Sequence, residues 1–442
     1  MDLVEEVRAA GVIGAGGAGF PTAAKIKGQA EFLIMNAAEC EPLLRVDQQL
    51  MVYYADEILQ GFQLVANHLN VKQAIIGIKE KHHEVIAHLT DRLSALKLQD
   101  RITIKPLRDV YPMGDEQMLV HEVTGRVVPE GGIPIAVGCV VMNSETALNV
   151  YRAHHGEPVV TTFLTVAGHV PKPYTAGVPV GTPLKEVLQA AGVVDFENIA
   201  VIDGGPMMGA VLKDLSGSVT KKSKGYVVLP KDHGLIQRKT VKMPQAKRIN
   251  HGACEQCRMC TDLCPRYLMG HSIEPHRIMN GMTFAPKELE PFAISQLCCQ
   301  CGVCELFACP ANLYPKTANM IFKAETLEAN IRYQKTKEHF TPRPERRWRL
   351  LSSKRLMARL NILAYDGPAP LKTYDDSPSE VYLGLRQHIG APAEATVQVG
   401  QTVRQGECIA DVPPDALGAP VHASIDGYVA SIDKGQIVIR RN

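Results

Sequence analysis

Nine of the chain's twelve cysteines fall between Cys254 and Cys309. The opening MDLVEEVRAAGVIG carries early acids and no cleavable apolar core, so it predicts a cytoplasmic, non-secreted chain. There, clustered cysteines point to metal ligation rather than to a disulfide framework. The run Cys254-x2-Cys257-x2-Cys260-x3-Cys264-Pro265 has the spacing that holds a 4Fe-4S cubane: three cysteines grip one cluster and the fourth crosses to a second. A second run, Cys298-x2-Cys301-x2-Cys304-x4-Cys309-Pro310, has one extra residue before its last cysteine. The crossing rule assigns Cys254, Cys257, Cys260 and Cys309 to cluster one, and Cys298, Cys301, Cys304 and Cys264 to cluster two. Cys299 adjoins Cys298 and is an alternative ligand, although only Cys298 keeps the two-residue spacing to Cys301. Zinc knuckles use two separated pairs and have no role for a third cysteine two residues on. Cys40, Cys139 and Cys408 stand alone and read as free buried thiols.

At 442 residues the chain exceeds one core, and its length suggests roughly three or four domains. A formal charge of +2 gives no global signal for nucleic acid or an anionic membrane. The longest apolar run, Ile135 to Met142, is far short of the roughly 18–20 residues that span a bilayer. Helical and strand-like stretches alternate at first: a helix over Leu3–Ala10, a glycine loop over Gly14–Gly19, a strand over Phe32–Asn36, a helix over Gln48–Leu69. A strand over Ala74–Ile78, a helix over His82–Leu98 and a strand over Ile102–Pro106 continue it, predicting an α/β layer domain to about Tyr151. From Val159 to Val228, short β-branched runs surround one helix, Leu184–Ala191, as in a β-grasp module. Lys231–Asn250 reads as a basic linker. Arg343–Arg359 holds seven basic side chains against one acid, Glu345, and reads as a solvated helix face, with an anionic partner surface as the alternative. Strands at Ala395–Val399, Cys408–Asp411, Gly427–Ile432 and Gln436–Arg440 predict a final all-β module.

Gly14-Ala-Gly16-Gly17-Ala-Gly19 satisfies GxGxxG, but it follows the helical VEEVRAA instead of a strand, which argues against a Rossmann fingerprint. The glycines support close approach of backbone N–H groups to a phosphate or a flat ring. Four segments in order, GAGGAGFPTAAK (Gly14–Lys25), NAAECEP (Asn36–Pro42), YPMGDE (Tyr111–Glu116) and VMNSETAL (Val141–Leu148), resemble the FMN/NADH-binding subunit of respiratory complex I. They are still more similar to the RnfC component of Rnf-type electron transport complexes. The resemblance implies FMN contacts from Gly14, Gly16, Lys25, Asn36, Glu39, Tyr111, Gly114, Asp115, Asn143 and Thr146, and NADH contacts from Phe20 and Glu41. Ala38 and Met142 depart from the family pattern. TVAGHVPKPYTAGVPVGTPLKEVL with GGPMMG (Gly204–Gly209) resembles the family's β-grasp (SLBB-like) module. QHIGAPAEATVQVGQTVRQGECIADV…HASIDGYVASI resembles its barrel-sandwich hybrid, with no carrier lysine around Pro414–Gly418.

With the barrel-sandwich module last instead of first, the chain resembles the PduS-type cobalamin reductases of propanediol-utilisation microcompartments. The fold class implied is multidomain α/β: a complex I-like FMN-binding α/β domain (1–155), a β-grasp module (156–235) and an α-helical ferredoxin-like domain with two 4Fe-4S clusters (236–345). A basic linker helix (346–370) and the C-terminal all-β barrel-sandwich hybrid (371–442) complete it. The resemblance further implies an NADH-dependent oxidoreductase passing hydride to FMN and single electrons through both clusters. Cob(III)alamin, free or on a cobalamin-handling protein such as an adenosyltransferase, is the expected acceptor, in support of a B12-dependent diol dehydratase. Shell proteins are further expected partners, placing the chain in the cytoplasm, inside or at the shell of a bacterial microcompartment; neither nucleic acid nor a membrane span is expected. Two alternatives stand: a redox shuttle of a glycyl-radical microcompartment, and an Rnf-like electron-conducting protein docked on a membrane complex.

Overall fold

The computed structural model describes residues 2–284, 288–335, 337–413 and 415–441; Pro414, at the head of the expected carrier hairpin, lies outside them. The apolar runs FLIMNA, QAIIGIK and CVVMN form parallel strands, joined by Ile102–Leu107 in a sheet of order Ile102–Leu107, Gln73–Lys79, Phe32–Ala37, Cys139–Asn143. Such a sheet must be covered on both faces. Leu33 and Met35 pack with the helices Leu3–Ala9, Ala55–His68, His83–Ala95 and Ser144–His154, whereas Ile34 packs with Glu116–Thr124. The expected helix over Gln48–Leu69 is two, Val46–Tyr53 and Ala55–His68. Tyr54 at the break sets its ring edge-on to Phe163, 5.4 Å between centroids, so tertiary packing overrides helical propensity there.

The next module is a five-stranded sheet in the order Tyr174–Pro179, Thr161–Gly168, Gly225–Pro230, Ile199–Asp203, Ala210–Val211, with helix Leu184–Ala190 packed on it. Gly225–Pro230 runs parallel to Thr161–Gly168 and antiparallel to Ile199–Asp203, the mixed pairing of a β-grasp. The stretch read as a basic linker, Lys231–Asn250, instead forms most of two helices, Gly234–Lys239 and Met243–Ala253. The second of these runs straight into Cys254, and the helices Pro275–Phe284 and Pro315–Glu328 continue the cysteine module.

The basic segment also differs from a single solvated helix. It is two short helices, Arg346–Arg349 and Ser353–Arg359, around a two-residue strand, Leu351–Ser352, paired antiparallel with Val110–Tyr111. Arg346 is buried against Glu122 at 2.5 Å. Buried Lys79 reaches Asp109 at 3.0 Å and Ser353 Oγ at 3.2 Å, fastening the segment to the parallel-sheet module.

The final module has two sheets, Glu380–Gly384/Gln436–Arg440/Gly427–Asp433/Thr402–Val403 and Glu394–Ala395/Cys408–Asp411/Val421–His422. The strand expected over Ala395–Val399 is only Glu394–Ala395, although Val397 is still buried. Val180 of the β-grasp module belongs to this module's core, and Ser424 Oγ donates to its carbonyl at 2.5 Å. At the three-way junction, buried Lys221 donates to the carbonyls of Gly11 and Pro420, each at 2.9 Å, with no carboxylate partner among the described residues.

Two consequences are testable. Burial lowers the Lys221 amine to about 7. The unfolded chain then binds a proton that the folded chain lacks, so stability rises with pH between about 7 and the ordinary lysine range. Lys221→Met flattens that rise in urea melts run from pH 7 to 10. Gly61 lies where Ala55–His68 crosses Ser144–His154, and a Cβ there would stand 2.0 Å from the Ala147 carbonyl oxygen. Gly61→Ala therefore lowers unfolding free energy by about 1–3 kcal/mol in the same assay.

Candidate functional site

In open parallel sheets, ligands bind beyond the carboxyl ends of the strands. Asn36 and Asn143 stand at those ends here. A cleft of about 700 Å³ opens beside them, and Gly16, Asn36, Glu39, Gly114, Asp115 and Asn143 line it. Gly16 has φ +74°, and nothing stands within 4 Å of a Cβ built on Gly17, so the loop offers bare backbone to a flat occupant. Asn36 Nδ2 donates to the Gly114 carbonyl at 2.9 Å, joining two of the predicted segments across the sheet.

One wall is a buried charge network. Asn143 Oδ1 accepts from the Glu145 N–H at 3.0 Å and caps helix Ser144–His154. Its Nδ2 donates to Asp47 Oδ1 at 2.9 Å, and Ser144 Oγ donates to the same oxygen at 2.6 Å. Lys224, from the β-grasp module, reaches Glu145 at 2.6 Å and Asp47 at 3.5 Å. Glu39 accepts from the N–H groups of Asp47 at 3.0 Å and Gln48 at 3.3 Å. Burial, and then the Asp47 carboxylate, push Glu39 up to about 7.

Glu41 also lines the cleft, but its carboxylate is taken: it accepts from the N–H groups of Met207 at 2.9 Å and Met208 at 3.1 Å. It thereby fixes the Gly204–Gly209 loop as another wall. The Tyr111 hydroxyl donates to the Cys301 carbonyl at 2.7 Å and lies 3.2 Å from Glu41. Gly14, Phe20, Lys25, Tyr111 and Thr146 do not line the cleft. Thr146 Oγ1 accepts from the Ala15 N–H at 3.0 Å, and Gly14 N–H donates to the Phe20 carbonyl, so both shape the glycine loop. Lys25 pairs with Glu116 at 3.3 Å.

The cysteines gather around two cavities. Cys254, Cys257, Cys260 and Cys309 line one, and Cys264, Cys298, Cys299, Cys301 and Cys304 line the other. In both runs the middle cysteine is flanked by left-handed residues: Gln256 (φ +56°) and Arg258 (φ +65°) about Cys257, and Gln300 (φ +59°) and Gly302 (φ +80°) about Cys301. That repeat wraps each loop around its cavity and aligns Cys298, not Cys299, with Cys254. The extra residue before Cys309 falls in a π-helical turn, Val303–Ala308, which carries one more residue than an α-turn. Backbone N–H groups point at sulfur, Gln300 to Cys298 at 3.4 Å and Leu313 to Cys309 at 3.3 Å. Thiol donors around a cavity, with N–H groups aimed at them, suit an iron–sulfur cubane.

Cleft and second cavity adjoin, because Cys299 and Cys301 line both the cleft and that cavity. Arg266, two residues past Cys264, is buried and bidentate to Asp115 at 2.6 and 2.8 Å. Despite that burial, the Asp115 carboxylate holds the guanidinium above its ordinary range.

Known proteins share this arrangement. Residues 7–152 match the model of the Nuo51 FMN-binding domain, residues 253–314 that of a 4Fe-4S dicluster domain, and residues 369–441 that of the RnfC barrel sandwich hybrid domain. The chain is 43% identical to cobalamin reductase PduS of Salmonella typhimurium, over 100% of this chain and 96% of that one. It is 42% identical to the Citrobacter freundii protein of the same name, over 99% and 96%. The chain belongs to the PduS cobalamin reductase family. The RnfC-type component of the ion-translocating oxidoreductase complex of Vibrio cholerae is 35% identical over 62% of this chain but only 34% of its own length. An NAD+-reducing [NiFe]-hydrogenase structure shares the fold at a TM-score of 0.51 and 21% identity, covering 75% of this chain and 63% of that one. The FMN-binding, dicluster and barrel-sandwich domains expected from the sequence are thus present in this PduS family member. No helix among the described residues is long and apolar enough to cross a membrane.

Sequence reasoning missed Asp47, Lys222, Lys224, Asp203, Arg386 and Gln387, all lining the cleft. The TKKSKG run, Thr220–Gly225, was the available signal: three lysines in a turn ahead of a strand. Arg386 and Gln387 left none, because they arrive from the far end of the chain. The choice between Cys298 and Cys299 is decided by iron content after anaerobic reconstitution. Cys299→Ala retains about eight irons per chain and Cys298→Ala about four; the reverse pattern would reassign the ligand.

Proposed function

We propose that this chain is an NADH-dependent reductase that delivers single electrons through two 4Fe-4S clusters to cob(III)alamin. The observation that carries the order of carriers is the wall shared by the cleft and the second cysteine cavity, through Cys299 and Cys301. Cys264, Cys298, Cys301 and Cys304 would hold the cluster beside the cleft, and Cys254, Cys257, Cys260 and Cys309 the one beyond it, each supplying a one-electron carrier. Bound FMN supplies the conversion that nicotinamide cannot, taking two electrons as hydride and returning them singly. One NADH and two cob(III)alamin then give NAD+, a proton and two cob(II)alamin.

The chain's own residues bind and orient. Gly14 and Gly16 set the loop that approaches the ring, with Thr146 pinning it through Ala15. Asn36, Glu39, Gly114, Asp115 and Asn143 form the cradle, and Tyr111 braces the Cys301 backbone. Lys222 and Arg386 bring side-chain cations to the cleft for phosphate groups, whereas Lys25, expected among the FMN contacts, pairs with Glu116. Phe20, 38% exposed just past the glycine loop and outside the cleft's lining, is the remaining NADH contact in this reading. In this reading Glu41 acts through the Gly204–Gly209 loop that it holds. The domains divide at 1–155, 156–235, 236–345, 346–370 and 371–442. The acceptor is cobalamin, free or on an adenosyltransferase, and the reductase works inside or at the shell of a propanediol-utilisation microcompartment in the cytoplasm.

The test is anaerobic. Protein reconstituted with iron, sulfide and FMN is mixed with NADH, and flavin absorbance falls; added cob(III)alamin then changes to the cob(II)alamin spectrum. A flavin that stays oxidised with NADH removes the donor, and bleaching without any cobalamin change removes the acceptor.

A further inference from the structure

The two cysteine cavities differ in exposure. Buried cysteines line both, Cys260 and Cys309 in the first and Cys264, Cys301 and Cys304 in the second, but only the first includes an exposed one, Cys257, followed by exposed Arg258 and by Met259 at 42% exposure. Three side chains of the basic segment, Arg343, Arg349 and Arg359, reach the cysteine module from the parallel-sheet module to which the segment is fastened. Arg349 pairs with Asp262 at 2.8 Å, one turn beyond Arg258, and Arg359 donates to Asn312 at 2.8 Å, three residues past Cys309. Arg343 stacks on Tyr267 at 3.8 Å, and the Tyr267 hydroxyl accepts from Arg258 at 3.2 Å.

Structural work consumes three of the segment's seven cations: Arg343 on Tyr267, Arg346 on Glu122 and Arg349 on Asp262. Exposed Arg347, Lys354, Arg355 and Arg359 have no acidic partner among the described residues. Beside Arg347 stands the chain's one tryptophan, Trp348, 74% exposed, with the guanidinium over its ring at 4.5 Å. Asp262 and Glu274 are already paired, with Arg349 and Arg277 at 2.8 Å each and with Arg258 at 3.9 and 3.8 Å, and exposed Glu255 adjoins Cys254. Arginine, tryptophan and methionine are the residues enriched at the centres of protein interfaces. An indole left in water is stabilised when a partner covers its apolar faces.

We propose that this face, Arg258, Met259, Arg347, Trp348 and Arg359 around the exposed Cys257 loop, is the docking surface for an electron-accepting protein with an acidic contact surface. The assignment rests on the reading that electrons leave through the Cys254, Cys257, Cys260, Cys309 cluster. Charge complementarity orients the acceptor over that cluster and raises its on-rate, while Trp348 and Met259 supply the apolar centre.

The test starts from reconstituted full-length protein reduced by light and a deazaflavin, so the NADH step is not involved. Two one-electron haem acceptors of opposite surface charge serve as probes, acidic cytochrome b5 and basic cytochrome c. Reduction of cytochrome b5 by the unaltered protein slows as salt rises. The double variant Arg347→Glu/Arg359→Glu reduces it more slowly by on the order of tenfold at low salt, while reduction of cytochrome c holds or quickens. Trp348→Ala slows cytochrome b5 without changing its salt dependence. Iron content and flavin bleaching by NADH, measured in parallel, stay at their original values. Equal cytochrome b5 rates in the variant and the original protein overturn the proposal, as does equal slowing of both cytochromes. Failure of NADH to bleach the flavin in the unaltered protein leaves this result standing and removes only the donor.

Discussion

The Arg266–Asp115 pair is the contact on which the site's geometry turns. Arg266 follows the crossing cysteine Cys264 and its proline, and Asp115 lines the cleft while capping helix Glu116–Thr124. Arg266 is buried, and removing one partner of a buried ion pair costs about 3–5 kcal/mol, so losing this contact loosens the two modules from each other. The Tyr111 hydroxyl adds a second fixed point on the Cys301 carbonyl. Between these two contacts the second cysteine cavity has no freedom to drift from the cleft. Electron transfer rewards such fixity, because carriers that wander apart lose coupling.

The β-grasp and barrel-sandwich modules extend the constraint instead of adding separate chemistry. Lys224 reaches across to Glu145 and Asp47, and the Gly204–Gly209 loop is held by Glu41 on one side and by Lys239 on the other, which donates to the Gly209 carbonyl at 2.6 Å. The Lys221 N–H donates to Gln387 Oε1 at 2.9 Å, bringing the C-terminal module to the rim, where Arg386 sits. Glycines mark the tightest approaches. A Cβ on Gly205 would stand 2.1 Å from the Glu41 carboxylate, and one on Gly225 would stand 2.6 Å from the Thr165 carbonyl oxygen. A module without a carrier lysine is thus used to close the cleft.

Local spacing made the grouping of the cysteines around two cavities legible, because a cubane dictates both the two-residue gaps and the crossing fourth ligand. The same logic did not foresee that the additional residue before Cys309 would be absorbed in a π-turn, which needs the backbone hydrogen bonds to be visible. Parallel strands were legible from uninterrupted apolar runs such as QAIIGIK, since burial on both faces removes alternation. The break at Tyr54 and the helices inside Lys231–Asn250 were not, because packing against distant partners decides them. At the cleft, residues within the four quoted segments were foreseeable. Asp47, Lys224 and Arg386 were not, because each is brought there by a contact far away in sequence.

Burial distinguishes the two cysteine cavities in a way that composition alone could not. Met207, fully buried, packs against Gly302 of the inner cavity's lining, and Gly204, Gly205, Met208 and Gly209 line the cleft beside it. The outer cavity reaches the surface at Cys257, where the basic segment passes. In the proposed order of carriers, exposed Cys257 marks an outlet on the side away from the flavin cleft. Placing cations at that outlet costs little fold energy, because exposed arginines are well solvated, yet it biases which partners linger there. Selectivity for the acceptor can then be set at the surface, by four or five side chains, without touching the residues that hold the flavin.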